Sequence, residues 1–271
     1  MKNVFLKFDS VSEFHKYLHT KKPTSAFDSI FSQYSQCGSE KFTHTRNWEH
    51  AEELFTYGDK DTAKKLEDCG LSQTRLKTKC TANRRKVHAN ICGFAPHVPN
   101  YIAGVPASML NVKEVRVKEK VINVIYNISA NGEASAKTLL ETGVQMLSAI
   151  MKIEASGVRV NLYVADISVC HNGQNIGWLC RIKNSAQHID TLKMCYPLCN
   201  PSMLRRHSFR FTEVTDGISS AFVGGYGSAS RDISMMLKQF KMKDCRCMSF
   251  ITAKGYTADR LAEMILNGDC R

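Results

Sequence analysis

The sequence has no run of about 18 consecutive apolar residues, the length a membrane-spanning helix requires, so no span is expected. Its opening, MKNVFLKFDSVSEF, holds too short an apolar run for a secretory signal and meets Asp9 at once. No internal repeat is visible. Compact catalytic signatures are missing too: there is no His-Glu-x-x-His, no Gly-x-Ser-x-Gly and no Gly-Lys-Ser/Thr phosphate loop. Asp166 and Asp216 are isolated carboxylates. Cys170 and His171 adjoin on a turn where successive side chains diverge, which argues against a nucleophile–base pair. These absences set the expectation of a protein that binds and does not catalyse.

Paired metal-binding cysteines are also lacking. Eleven cysteines are present, but no Cys-x-x-Cys pair recurs, and a zinc ribbon needs two such pairs. The closest spacings are Cys195/Cys199 and Cys245/Cys247. With an odd count and no secretory signal, free thiols acting as small hydrophobes are expected, and no metal or cofactor.

Positive charge, by contrast, is in excess. A net charge of +12 and a pI near 9.2 favour an acidic partner. The densest run, RLKTKCTANRRK, carries Arg75, Lys77, Lys79, Arg84, Arg85 and Lys86, with no aromatic residue for base stacking. A solvated basic loop and a phosphate-tracking surface both fit it, so nucleic-acid binding stands as an alternative function.

Pattern divides the chain at about residue 111. Before it, NVFLKF reads as a short strand, and Ser10 with Glu13 forms a capping box ahead of a helix. Asn47 caps a second helix that carries Trp48, Ala51, Leu54 and Phe55 on one face and stops at Gly58. Residues 61–95 read as a short helix and an exposed basic loop. GFAPHVPNYIAGVPASM, with Pro96, Pro99 and Pro106, reads as an extended connector tethered by Tyr101 and Ile102.

After residue 111 strands and helices alternate. VRVKEKVINVIYNI is strand-like, and its apolar second half suits a parallel strand covered on both faces. A long helix runs from Ser135 to Ala155, ended by Gly157. VRVNLYVADIS and NIGWLCRIK are strands joined by a turn, and PSMLRRHSFRFTE is helical or, in its second half, a strand. SRDISMMLKQFKM is an amphipathic helix, CRCMSFITA a strand, and TADRLAEMILNG a helix capped by Thr257 and ended by Gly268. The expected class is α/β: a Rossmann-like, mostly parallel sheet flanked by helices over 112–271, with a smaller basic α+β region over 1–111.

The order strand, polar loop, long helix, strand, hairpin, strand resembles the start of a von Willebrand factor A domain. That family's first loop reads Asp-x-Ser-x-Ser, and a threonine and an aspartate from two later loops complete a magnesium site. The matching positions here are Asn127, Ser129 and Asn131. Ser202 in NPSMLRR and Ser228 in GGYGSAS resemble the threonine-bearing loop, and Lys254 stands where the aspartate belongs. Magnesium wants carboxylates, and a lysine about 4 Å from a unit positive charge costs about 4 kcal/mol at an effective dielectric of about 20. The resemblance therefore implies the fold without the metal.

FTHTRNWEHAEELFTYGD, GFAPHVPNYIAGVPASM, IYNISAN, PSMLRR and GGYG, in that order, are together similar to an uncharacterised bacteriophage protein family. That implies expression in the host cytoplasm, or presence in the virion as a structural component. The phage resemblance implies no activity, whereas the von Willebrand factor A resemblance implies a protein-docking module. Its binding edge would comprise Asn127, Ser129, Asn131, Ser202, Ser228 and Lys254, and its partner would be an AAA-type ATPase or a phage assembly component.

Overall fold

The computed structural model describes residues 3–27, 33–68, 83–116, 120–170, 173–217, 226 and 228–269. The chain opens with β1 (Val4–Phe8) and α1 (Val11–Thr20). After a 3-10 turn at Ser25–Phe27 come α2 (Tyr34–Cys37), α3 (Glu40–Thr43), α4 (Trp48–Tyr57) and α5 (Lys60–Asp68). A small lobe follows, made of β2 (Asn83–Asn90), β3 (Ala95–Pro96), α6 (Val98–Ile102) and β4 (Met109–Arg116). Next are β5 (Val121–Asn127), α7 (Ala136–Ala155), β6 (Arg159–Val169), β7 (Asn175–Lys183) and α8 (Thr191–Cys199). A π-helical turn at Met203–Ser208 continues into α9 (Phe209–Val214). The last elements are β8 (Ser228–Ala229), α10 (Ser234–Gln239), β9 (Cys245–Ser249), α11 (Phe250–Ala253) and α12 (Ala258–Asn267).

The main sheet has the order β1-β7-β6-β5-β9, with β8 pairing β6 beyond the end of β5. The pairs β1/β7, β5/β6 and β5/β9 are parallel, whereas β6/β7 and β6/β8 are antiparallel. The protein is therefore α/β with a mixed, mostly parallel sheet. Side chains alternate across the central strands. Val124, Tyr126, Leu162 and Val164 join the larger core beneath α1, α7, α8 and α12. Ile125, Tyr163, Ala165 and Ile167 join a smaller core under α10, through Met236. Burial on both faces is the physical reason that β5 and β6 read as near-continuous apolar runs.

The caps follow the local rules. Ser10, Asn47, Ser135 and Thr257 each accept a backbone N–H three residues on. The Glu13 carboxylate reaches back to the amide of Asp9, one residue before the cap. Gly143 has a packing reason: a Cβ there would lie 2.4 Å from Cys199 Cα, so α7 and α8 approach at a distance only glycine permits.

Several elements depart from expectation. VRVKEKVINVIYNI is not one strand but parts of β4 and β5, which belong to different sheets. The position between residues 111 and 112 falls inside β4, and β1 is an edge strand of the main sheet, parallel to β7. The expected basic loop contributes β2, paired with β4 from Asn83↔Arg116 to Asn90↔Met109. The proline-rich stretch is not merely extended. Pro96 lies on the edge strand β3 and Pro99 in the first turn of α6, two places where a missing N–H costs little. Tyr101 and Ile102, 74% and 79% exposed, do not act as tethers among the described residues. HSFRFTEV takes the helical one of its two expected readings, whereas CRCMSFITA leaves the sheet at Ser249, which caps α11.

Candidate functional site

At the carboxyl edge of the sheet, Asn127 ends β5 opposite Ser249 of β9 and Ala165 of β6. Both Asn127 and Ser129 are 2% exposed and fully engaged. Asn127 Nδ2 donates to the Ser230 carbonyl, and its Oδ1 accepts from the Ser129 amide. Ser129 Oγ lies 2.6 Å from both Asn127 Oδ1 and Asp166 Oδ1, and it accepts from the Ile167 amide. On the other side Ser208 donates to Asp166 Oδ2, and Trp178 Nε1 donates to Ser208 Oγ.

Proton counting assigns the state of this network. Ser129 has a single hydroxyl proton for two facing oxygens, so the arrangement closes only when Asp166 carries a proton and donates it to Ser129 Oγ. Burial agrees: it is the largest influence on the Asp166 carboxyl and raises its pKa.

A folded-state pKa above the unfolded value of about 3.9 gives stability that is full below pH 4 and lost as pH rises through the raised value. Asp166→Asn supplies a permanent donor and removes that dependence. Wild-type stability relative to D166N, measured by urea unfolding, should fall from pH 4 towards neutrality, with a slope of up to about 1.4 kcal/mol for each step of one in pH. A pH-independent difference would refute the protonated carboxyl.

This edge does not fit the magnesium ion that the von Willebrand factor A resemblance brings to mind. Its first loop offers neutral amides and a hydroxyl whose lone pairs are taken, and Asp166 is turned inward into the network. Lys254, at the end of α11, lies on the loop that leaves β9 at the same end of the sheet. Of the six predicted edge residues, Asn131, Ser228 and Lys254 are exposed, and Asn127, Ser129 and Ser202 are buried. Ser202 is held by the Thr43 carbonyl and the Thr45 hydroxyl. A cleft of about 650 Å3 opens beside the edge between β9 and α10, with Asn127, Arg231, Arg246, Ser249 and Thr252 on its wall.

Among the predicted nucleic-acid contacts, Arg75, Lys77 and Lys79 lie outside the described residues. Arg84 and Arg85 fall on β2, and Lys86 is exposed directly across from Lys113. Cys195 and Cys199 are buried in α8, and burial pushes the Cys199 thiol well above its ordinary value. Cys245 and Cys247 pack on the smaller core.

Sequence reasoning missed two constellations. Arg206 is completely buried and gathers the 35–45 segment. His15, His19 and His207 converge on Glu52, with Nε2–carboxylate distances of 2.7, 2.8 and 2.7 Å. Burial opposes ionisation of Glu52, but the hydrogen bonds from His15 and His207 outweigh it and hold the carboxyl far below its usual range. The signal that was available is the four-residue spacing of His15 and His19, which puts both on one face of a helix.

Among known families, the model described as "Domain of unknown function (DUF7192)" matches residues 1–259. No curated protein matches the chain, and no solved structure does.

Proposed function

We propose that this chain, which belongs to the DUF7192 family over residues 1–259, is a protein-docking module whose partner seats on the lobe formed by β2, β3, α6 and β4. One observation carries the reading. Eight of the thirteen large apolar side chains exposed among the described residues lie between Val87 and Val112. Phe94, Tyr101 and Ile102 are 67%, 74% and 79% exposed. Register sorts the lobe into faces: Val87↔Val112 and Ala89↔Leu110 share one side, Lys86↔Lys113 and His88↔Asn111 the other. A three-stranded sheet with an uncovered apolar face is marginal by itself, and concentrated exposed apolar surface marks an interaction site.

The von Willebrand factor A-like reading of the main sheet is part of this proposal. It is supported by the succession of β5, a polar loop, α7, β6, a hairpin and β7. On that reading the exposed Asn131, Ser228 and Lys254 form a second contact edge. An AAA-type ATPase or an assembly component is the partner, and a bacteriophage the source. Among the described residues no helix is long and apolar enough to cross a membrane.

Photo-crosslinking tests the docking surface. A photoreactive side chain at position 101 should give a discrete protein adduct in infected-cell extract treated with nuclease, and Phe94→Glu should abolish it. An adduct pattern unchanged by F94E would refute the lobe as the seat.

Nucleic acid is the second reading, favoured by the like-charged Lys86–Lys113 pair. Exposed cations directly opposite each other repel unless an anion lies between them. It requires DNA or RNA binding that weakens steeply with salt and drops on charge reversal of Lys86 and Lys113.

A further inference from the structure

We propose that His15, His19 and Glu52 bind a single divalent cation of the zinc class, independently of the docking surface. The two imidazoles project from successive turns of α1, and Glu52 comes from the facing helix α4. Both helices are fixed from below: Phe14 and Leu18 anchor α1, and Ala51 and Phe55 anchor α4. His15 Nε2, His19 Nε2 and Glu52 Oε2 lie within 4.8 Å of one another. Zinc with bonds of about 2.0–2.1 Å in tetrahedral geometry sets its ligand atoms about 3.3 Å apart. The present spacings of 2.7 and 2.8 Å to Glu52 need to open by about half an ångström, which the 44%-exposed His19 side chain has room to do.

The surroundings are those of a supported site. Glu52 uses Oε2 towards His15 and His19, and its other oxygen accepts from His207 Nε2 at 2.7 Å. His207 Nδ1 in turn accepts from the Tyr196 hydroxyl at 2.8 Å, which fixes the tautomer that donates to the carboxylate. A ligating group oriented in this way by a buried partner is what metal affinity depends on beyond the ligands themselves. Aromatic rings wall the cluster. Phe55 stacks on His15 at 5.1 Å and on His207 at 4.6 Å, and Trp48 lies 5.0 Å from His207.

The ion class follows from the donors. Two imidazoles and one carboxylate suit zinc and its neighbours in the first transition row, not magnesium or calcium, which prefer oxygen alone. Three protein ligands leave a coordination position for water or a small ligand. His15 also borders a cleft of about 490 Å3, with His188, Asp190 and Lys193 on its wall.

Zinc alone is the probe. The full chain is treated with iodoacetamide, since Cys37 and Cys92 carry exposed thiols, then stripped with chelator and titrated by calorimetry. The expected result is saturable uptake of about one ion per chain, and cobalt in its place should give the intense visible bands of tetrahedral coordination. His19→Asn, at a half-exposed position where circular dichroism can verify the fold, should lose more affinity than the roughly 10–100-fold typical of a supporting residue. Glu52→Gln should behave likewise, and His188→Asn should bind as the wild type does. No saturable uptake, or unchanged affinity in H19N, would overturn the site.

Discussion

Arg206→Met is expected to lower stability by about 3–5 kcal/mol, the range for removing one partner from a buried charged network. The guanidinium is completely buried and donates through every nitrogen. Nε reaches Thr45 Oγ1 at 2.8 Å, one terminal nitrogen reaches the Ser35 carbonyl at 2.9 Å, and the other reaches the carbonyls of Gly38 and Thr45 at 2.9 and 3.1 Å. The segment it gathers contains only α2 and α3, four residues each, too short to hold a helical geometry by themselves. Methionine fills similar space but leaves these oxygens without donors, each costing about 1–3 kcal/mol if it stays dry. Thermal unfolding should shift down by about 10 °C, at about 2–4 °C per kcal/mol for a chain of this size. Arg206→Lys should recover little, because an ammonium cannot span the planar fork. A loss below about 1 kcal/mol in R206M would show that the 35–45 segment holds itself.

Glu154→Gln is expected to cost a similar amount, and here a second substitution decides the cause. Lys183 Nζ is buried on β7 and meets Glu154 Oε1 at 2.5 Å, with the carbonyls of Val160 and Asn184 at 3.2 Å. Removing the carboxylate charge alone leaves an ammonium in the core, for about 3–5 kcal/mol. The glutamine still offers an oxygen to the Val160 amide, so that bond is preserved. In the double variant E154Q/K183M no buried charge remains, and most of the loss should return. The double-mutant cycle should give a coupling of about 1–3 kcal/mol by urea unfolding. Additive single effects would mean that the pair is not desolvated in solution.

Such buried ionic groups were illegible in the sequence for the same reason that the helix ends were legible. A cap is closed within three residues, so Ser10, Asn47, Ser135 and Thr257 announce it locally, as Gly157 and Gly268 do the stops. Lys183 and Glu154 are 29 residues apart, Arg206 and Ser35 171, and each looks like an ordinary surface residue until the fold closes. Asn127 and Ser129 show the opposite error. Their spacing suggests a presented loop, but Asp166 on the neighbouring strand holds Ser129 inward, and Ser129 and the Ser230 carbonyl hold Asn127. His15 and His19 carried half of a signal, and the other half, Glu52, arrives from a different helix.

The amino-acid pattern alone determined the α/β class, most of the succession of elements after residue 120, though not β8 or α11, and most helix termini. Those features rest on periodicity and on bonds between near neighbours, which any short window contains. Tertiary structure alone decided that β1 closes one edge of the main sheet, that the end of the basic stretch, from Asn83, pairs into a separate lobe, and which of the described polar residues face water. Strand partnership and burial depend on contacts between distant segments, whose free energy exists only once the whole core has formed.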